Sequence, residues 1–374
     1  MSQPDTPRSG PHVRIVGTGL IGASLGVDLS DRGFRVSLHD TSPTAAALAR
    51  DVGAGALAAE VAEPPWLVVV AAPPDVTARV VAAELKEWDG AFVTDVASVK
   101  GVILTALQDA GSDVSRYAGS HPMAGRERSG AVAAQADLFD GRAWVIAPGP
   151  DASPAAVAAV RTVAEAVGAA VTVMAPAEHD AAVAAVSHVP QLAASLVAAR
   201  LRDLQEEAVA LCGQGIRDVT RIAASDPAMW TQVLAANAPA VRSVLTSVRR
   251  DLDAVIAALD ELRAEGADGS AGAVGARAVL ARTMAQGNAG QARIPGKHGA
   301  ARTAYATVVV VVPDQPGALG RLLHDVGAAG VNLEDLQLEH GMGQPFGLAE
   351  LAVLPAAVQP LTTALTSRGW PVHV

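Results

Sequence analysis

The 374-residue sequence is poor in several things, and each shortage excludes something. It has one cysteine, Cys212, so no intramolecular disulfide and no cysteine-rich zinc site can form. A lone cysteine fits a reducing cytoplasm, and Cys212 is expected as a small buried apolar residue rather than a nucleophile. Aromatic residues make up 3% of the chain, too few to line a stacking surface for nucleic acid. Basic residues are outnumbered 28 to 38, and the resulting net charge of −10 has the wrong sign for tracking phosphate backbones. A local basic pocket for a small anion is still compatible with that balance. The uninterrupted aliphatic runs, such as residues 66–72 and 308–312, are short. They fall below the roughly 20 apolar residues of a membrane helix, so none is expected. The opening MSQPDTPRSGPH is polar and lacks the apolar stretch of a signal peptide.

What is present is an apolar half of the chain, rich in Ala and Val, enough for two or three domains. Residues 12–16 are β-branched and run straight into glycines, which predicts a buried strand entering a tight turn. Helical spacing over 20–32 and strands at 34–39, 67–71, 91–94 and 143–147 predict a doubly covered parallel sheet, a Rossmann α/β domain over 11–172. Strand signals then vanish, and an all-α domain is predicted over 173–285. Its segment 181–201 is almost continuously apolar, so much of it should be buried and the domain should form a homodimer interface. Residues 265–275 and the Gly-, Pro- and Arg-bearing stretch 286–303 read as loop and linker. The last unit, 304–374, begins with a strand at 307–312, a Pro-Asp-Gln-Pro-Gly turn and a helix at 318–329. A second strand is expected to begin at 330–333. The order β-α-β-β-α-β predicts a small α+β ferredoxin-like domain.

Gly17-Thr18-Gly19-Leu20-Ile21-Gly22 fits G-x-G-x-x-G between a strand and a helix, the context that a dinucleotide site requires. Gly17 allows the tight turn, Gly19 the approach of a pyrophosphate, and Gly22 close helix packing. Leu20 and Ile21 open the helix whose free N–H groups face that anion. Asp40, at the end of the second strand, is placed to accept from ribose hydroxyls and to repel a 2′-phosphate, which favours NAD over NADP. Ala72 and Pro73, after the third long strand, should form another wall of the cleft. No metal ligand set is evident.

Three further clusters carry the chemistry: Thr94–Lys100 (TDVASVK), residues 119–125 (GSHPMAG) and residues 218–230 (DVTRIAASDPAMW), with Ser187-His188-Val189-Pro190 beside them. Together with the glycine loop, over about residues 12–300, they resemble the prephenate dehydrogenase family. The resemblance implies NAD-dependent oxidative decarboxylation of prephenate to 4-hydroxyphenylpyruvate in tyrosine biosynthesis. It makes His121 the catalytic histidine, taking the proton of the ring hydroxyl as hydride leaves. Ser98 is implied to orient His121 and the nicotinamide. Arg221 is the expected carboxylate clamp, oriented by Asp218 three positions earlier. Glu127 matches an acidic position that gates or positions charge, and His188 belongs to the substrate pocket. Gln191 stands where some prephenate-specific members carry histidine, which keeps arogenate open as the substrate. Asp314, Gly317, Ala318, Leu319 and Asn332 lie in motifs that resemble an ACT domain, implying an amino-acid effector, tyrosine. A non-catalytic, NAD-binding amino-acid sensor is the alternative from another functional class.

Overall fold

The computed structural model describes residues 10–124, 130–268, 274–295, 305–340 and 345–373. The chain divides into two compact units, Met1–Arg250 and Asp251–Val374.

The first unit begins with β1 (His12–Val16), α1 (Leu20–Asp31), β2 (Arg35–His39), α2 (Pro43–Asp51), β3 (Ala56–Leu57) and β4 (Leu67–Val70). It continues with α3 (Pro74–Glu87), β5 (Phe92–Asp95), α4 (Gly101–Asp109), β6 (Gly119–Pro122), β7 (Ala143–Ala147), α5 (Pro154–Ala166) and β8 (Ala170–Val173). Serine followed by proline opens two of these helices: Ser42 caps α2 and Ser153 caps α5, each accepting from the amide three residues on. The parallel sheet has the order β3-β2-β1-β4-β5, the order of a dinucleotide-binding half-sheet. All four residues of β4 are buried. Leu67 and Val69 join one apolar core, while Val68 and Val70 join the other, so helices cover both faces of the sheet.

A parallel bridge from Val93 to Tyr117 leads from β5 to a second sheet, β6-β7-β8. Because β6 thus runs alongside β5, its carboxyl end lies at the same edge as those of β1, β4 and β5. This strand was not legible in the sequence, where its histidine sits in a Pro- and Gly-containing segment.

The helical part holds α6 (Pro176–Val183), a π turn (Ala184–His188), α7 (Val189–Arg200), α8 (Glu206–Val209), α9 (Gln214–Thr220), α10 (Pro227–Ala236) and α11 (Ala238–Asp268). From Pro176 to Asp203 the helical run is continuous over 28 residues, long and apolar enough by composition to cross a membrane. This corrects the expectation that no segment reaches that length. Within the chain a third of its apolar window is covered. The buried side carries His179, His188 and Gln191, whereas Val186, Leu196 and Val197 are exposed.

The second unit contains the end of α11, α12 (Val274–Gln291), β9 (Ala306–Pro313), α13 (Ala318–Ala328), β10 (Asp335–His340), β11 (Phe346–Val353), α14 (Val358–Ser367) and β12 (Val372–His373). The expected loop and linker are therefore narrower, because helix extends to Asp268 and resumes from Val274 to Gln291. Ala258 of α11 packs against Ala276 of α12, and that contact outweighs the local cost of Gly275, Gly287 and Gly290. The final sheet is antiparallel with order β10-β11-β9-β12, and α13 and α14 pack on its apolar face. Its second strand starts at Asp335, not at 330–333. Gly330 ends α13 at φ +69°, and Val331 and Leu333 pack on the core without joining a ladder.

Candidate active site

The first half of the site is built from backbone. Gly17 adopts φ +101°, and a methyl group there would overlap the carbonyl of Ala71 after β4. A methyl group at Gly22 would overlap the carbonyl of Gly17, so α1 sits directly on the loop. At Gly19 a methyl group would meet nothing within 4 Å, which leaves that face of the turn open. Gly19 is the N-cap of α1; no side chain caps the helix and no acid lies in its first turn. The free amides and the positive end of the helix therefore suit an anion. Asp40 closes the cradle. Its Oδ2 accepts from the Thr18 amide (2.7 Å) and hydroxyl (2.9 Å), and its Oδ1 accepts from the Ser42 amide (2.8 Å). Burial pushes this carboxyl up, but the hydrogen bonds from Ser42 and Thr18 outweigh it and hold it below the usual carboxylate range. Ser42, not Asp40, caps α2. Ala72 and Pro73 form the wall beyond β4, where the Thr77 hydroxyl donates to both of their carbonyls. This cradle fits the diphosphate and ribose of a dinucleotide.

The second half is built from side chains of distant segments. Behind β6, Lys100 is fully buried; its ammonium donates to Asp95 Oδ1 and to the carbonyl of Ser120, the latter at 2.7 Å. Burial pushes Lys100 below the ordinary lysine range, against the pull of Asp95. The Tyr117 hydroxyl donates to Asp95 Oδ2 at 2.6 Å, and burial next to that carboxylate raises its pKa well above the ordinary value. These bonds fix β6, and therefore His121, against β5.

Partly buried on β6, His121 places Nδ1 3.0 Å from His179 Nε2, and the rings meet edge to face. His179 Nδ1 lies 2.8 Å from Asp180 Oδ1. Asp180 also accepts from the amides of Lys100 (2.9 Å) and Gly101 (2.8 Å), so a side chain of α6 caps α4. Burial pushes Asp180 up, but the bonds from His179, Gly101 and Lys100 more than offset this. Burial, the Lys100 ammonium and neighbouring His179 and His188 hold His121 well below the ordinary imidazole range, so its ring is neutral near pH 7.

The π turn explains how one helix supplies several of these groups. His179 and His188 are nine positions apart, which in a regular helix of about 100° per residue sets them on opposite sides. The inserted residue of a π turn takes back about 100° and brings the two within about 80°. Pro190 supplies the local cause, because it cannot donate to the carbonyl of Val186 within that turn. Asn237 then ties the pieces, donating to the Asp180 carbonyl (2.8 Å) and to His188 Nδ1 (3.1 Å). Burial lowers the pKa of His188, and its ring stands edge-on to Trp230.

Several expected details differ. Ser98 makes no hydrogen bond among the described residues; the partner that orients His121 is His179. Gln191 donates to the Ile222 carbonyl at 2.9 Å and faces the Ser225 hydroxyl, so its amide ties α7 to the 3-10 turn Arg221–Ala224. Asp218 accepts from Gln214 rather than pairing with Arg221, because α9 ends at Thr220 and the tighter turn breaks the register. Arg221 is exposed on that turn. Cys212 is half-buried rather than buried. Glu127 lies outside the described residues.

In the second unit a shallow pocket of about 120 Å³ is lined by Asp314 and Leu319 together with Val312, Gln315 and Leu338. Gly317 caps α13, Ala318 begins it, and Asn332 bonds to Glu334 instead of lining that pocket. Sequence reasoning missed His179, Asp180, Lys100 and Asn237. The available signal was an adjacent His-Asp pair opening an otherwise apolar helix.

Residues 25–173 match the family model for the prephenate dehydrogenase nucleotide-binding domain, and residues 175–268 match that for its dimerization domain. A probable prephenate dehydrogenase of Streptomyces niveus, NovF, is 37% identical over 96% of this chain and 98% of its own. Among solved structures, a prephenate dehydrogenase of A. aeolicus in complex with hydroxyphenyl propionate and NAD⁺ superposes with TM-score 0.62 and 27% identity. That match covers 74% of this chain and 98% of the other. An arogenate dehydrogenase of Synechocystis superposes equally well, at TM-score 0.62 and 25% identity, over 75% and 98%.

Proposed function

The chain belongs to the prephenate dehydrogenase family, and from that premise we propose that it oxidises and decarboxylates prephenate with NAD⁺, using His121 as the base. The observation that carries this reading is the neutral imidazole of His121, held through Nδ1 at the sheet edge where the glycine cradle opens.

When bound, NAD⁺ accepts the hydride lost from the ring carbinol carbon; loss of CO₂ then aromatises the ring, giving 4-hydroxyphenylpyruvate and NADH with no net proton. The loop at Gly17–Gly22 and the first turn of α1 receive the diphosphate, and ionised Asp40 receives the ribose hydroxyls while repelling a 2′-phosphate. His121 takes the hydroxyl proton at Nε2 as the C–H pair departs and returns a proton to the phenolic oxygen. His188, with Nδ1 accepting from Asn237, carries its proton on Nε2 and can donate to a substrate oxygen. Arg221 supplies the charge for a carboxylate of the dianionic substrate, on a turn held in place by Gln191. Ser98 serves the nicotinamide end of the site.

A second substrate, arogenate, is favoured by the neutral Gln191 and by the likeness to an arogenate dehydrogenase. The sensor reading gives the buried base cluster no task. The exposed Val186, Leu196 and Val197, on a helix within the segment that matches the dimerization domain, form part of a homodimer interface. We divide the chain into a cofactor domain at 11–172, a helical domain at 173–285, a linker at 286–303 and an ACT-like domain at 304–374. The pocket beside Asp314 and Leu319 takes an amino-acid effector, tyrosine. As a biosynthetic dehydrogenase, the enzyme is placed in the cytoplasm.

The test is NADH formation from prephenate and from arogenate, each with NAD⁺ and NADP⁺, by wild type and by His121→Asn. Turnover of prephenate with NAD⁺ is expected, reduced about 10²–10⁴-fold in the variant with NAD⁺ affinity little changed. Turnover of arogenate alone would reassign the substrate, and full activity of His121→Asn would remove the proposed base.

A further inference from the structure

The chain Asp180–His179–His121 has a direction. Asp180 is an ionised acceptor, taking hydrogen bonds from two backbone amides besides His179. A carboxylate cannot donate, so His179 Nδ1 carries the proton. With that as its one ring proton, His179 presents a lone pair at Nε2, which accepts. Its partner 3.0 Å away, His121 Nδ1, must donate. The same step leaves His121 Nε2 bare, with no protein partner among the described residues. His179 is fully buried, so water cannot compete for its ring nitrogens.

We propose that His179 and Asp180 are positioning residues that lock His121 as its Nδ1–H tautomer, so that Nε2 is the base in every turnover. This deepens the reading of His121 as the base and rests on it. An isolated neutral imidazole populates both tautomers, and one of them presents a hydrogen instead of a lone pair to the substrate hydroxyl. The relay removes that unproductive form. It also acts after proton transfer: His121 then carries hydrogen on both nitrogens, and its Nδ1–H points at a lone pair backed by a carboxylate. No proton moves along the relay; the substrate proton stays on Nε2 and Asp180 stays ionised. Lys100, His188 and His179 itself are the charged or titratable groups facing His121, and the charge of each opposes a positive charge there. What favours the cation is the hydrogen bond from Nδ1–H to the His179 ring, which Asp180 holds in place.

The remaining geometry follows from this role. The amides of Lys100 and Gly101 hold the Asp180 carboxylate, while Lys100 Nζ holds the carbonyl of Ser120. The residue that fixes the strand under His121 is thus also tied to the residue that fixes its tautomer.

The experiment is ¹⁵N NMR of the histidine rings in the full-length protein, with kinetics on His179→Ala and His179→Gln. In wild type at neutral pH, His121 should show a protonated Nδ1 and a bare Nε2. In His179→Ala the two tautomers should mix, and kcat should fall about 10²-fold while KM for both substrates changes less than threefold. His179→Gln keeps an oxygen that can accept from Nδ1–H, and should restore kcat to within about tenfold of wild type. A wild-type His121 protonated on Nε2 would overturn the relay, whether or not the variants fold. So would an unchanged tautomer in His179→Ala, or equal losses in both variants carried by KM. The NMR readout is independent of turnover, so failure of the relay is distinguishable from failure of His121 as base, which His121→Asn reports.

Discussion

The two halves of the site are constructed in opposite ways. The cradle is nearly contiguous: Gly17, Thr18, Gly19 and Gly22 lie within one turn, and Asp40 reaches back to Thr18 from the neighbouring strand. Its geometry is set by the absence of side chains. The base cluster draws on residues 95–100, 117–121, 179–191 and 237, and its geometry is set by buried side chains that bond to one another. The cradle tolerates sequence change outside its glycines, whereas every member of the cluster depends on the others being in place.

The sharpest way to break the comparison is at Lys100. Replacing it by Met removes a buried cation and leaves the Asp95 charge, among the described residues, with Tyr117 and the Ala97 amide as donors. Loss of one partner of a buried pair costs about 3–5 kcal/mol. Thermal or urea unfolding of Lys100→Met should show a loss of that size, and a change below about 1 kcal/mol would mean that the pair is not a buried ionic one.

The glycines give the next largest effects, and they separate folding from binding. Gly22→Ala forces α1 away from the carbonyl of Gly17, and should cost about 1–3 kcal/mol of stability as an overpacking change. Gly19→Ala adds a methyl group to open space, so its stability should stay within about 0.5 kcal/mol of wild type. Its dinucleotide affinity should nevertheless fall at least about tenfold, because the new methyl group stands where the diphosphate approaches. Titration calorimetry beside a melting curve distinguishes the two; a Gly19→Ala protein with normal NAD⁺ affinity would place the diphosphate elsewhere.

The same contrast explains what could be read from the sequence. The glycine spacing and Asp40 are local patterns: the loop joins β1 to α1, and Asp40 follows β2. The His179–Asp180 pair was invisible because its meaning lies in a contact with β6, 58 positions away from His179 to His121. Its relation to His188 depends on a π turn that shifts the helical register, so a regular wheel puts the two on opposite faces. The stretch 286–291 reads as linker from its glycines, yet α12 continues through it. The strand expected at 330–333 fails for a related reason: apolar composition signals burial there, but Gly330 delays the ladder until Asp335. Gln191 was legible as a polar residue in an apolar helix, but not as a tie to the Ile222 carbonyl.

Acid titration makes the smallest and most selective test of the two halves. His121 and His188 are both held below the ordinary imidazole value of about 6.5, so near pH 5–6 the unfolded chain binds more protons than the folded one. Stability then rises with pH across that window: the contribution of these rings is complete above about 6.5 and is lost as pH falls through their folded values. Asp40 is displaced the other way, below the usual carboxylate range, so its charge persists throughout the same window. Asp180 is likewise held low and stays an acceptor there. Lowering the pH from 7 to 5 should therefore reduce the urea midpoint while NAD⁺ affinity changes less than about twofold, since the cradle keeps its charge. His121→Asn should make the pH dependence of stability shallower, because one of the depressed groups is gone while His188 remains. If NAD⁺ affinity fell in step with stability, the two halves would not be electrostatically separate; if the slope in His121→Asn were as steep as in wild type, the His121 ring would not be one of the groups that burial holds neutral.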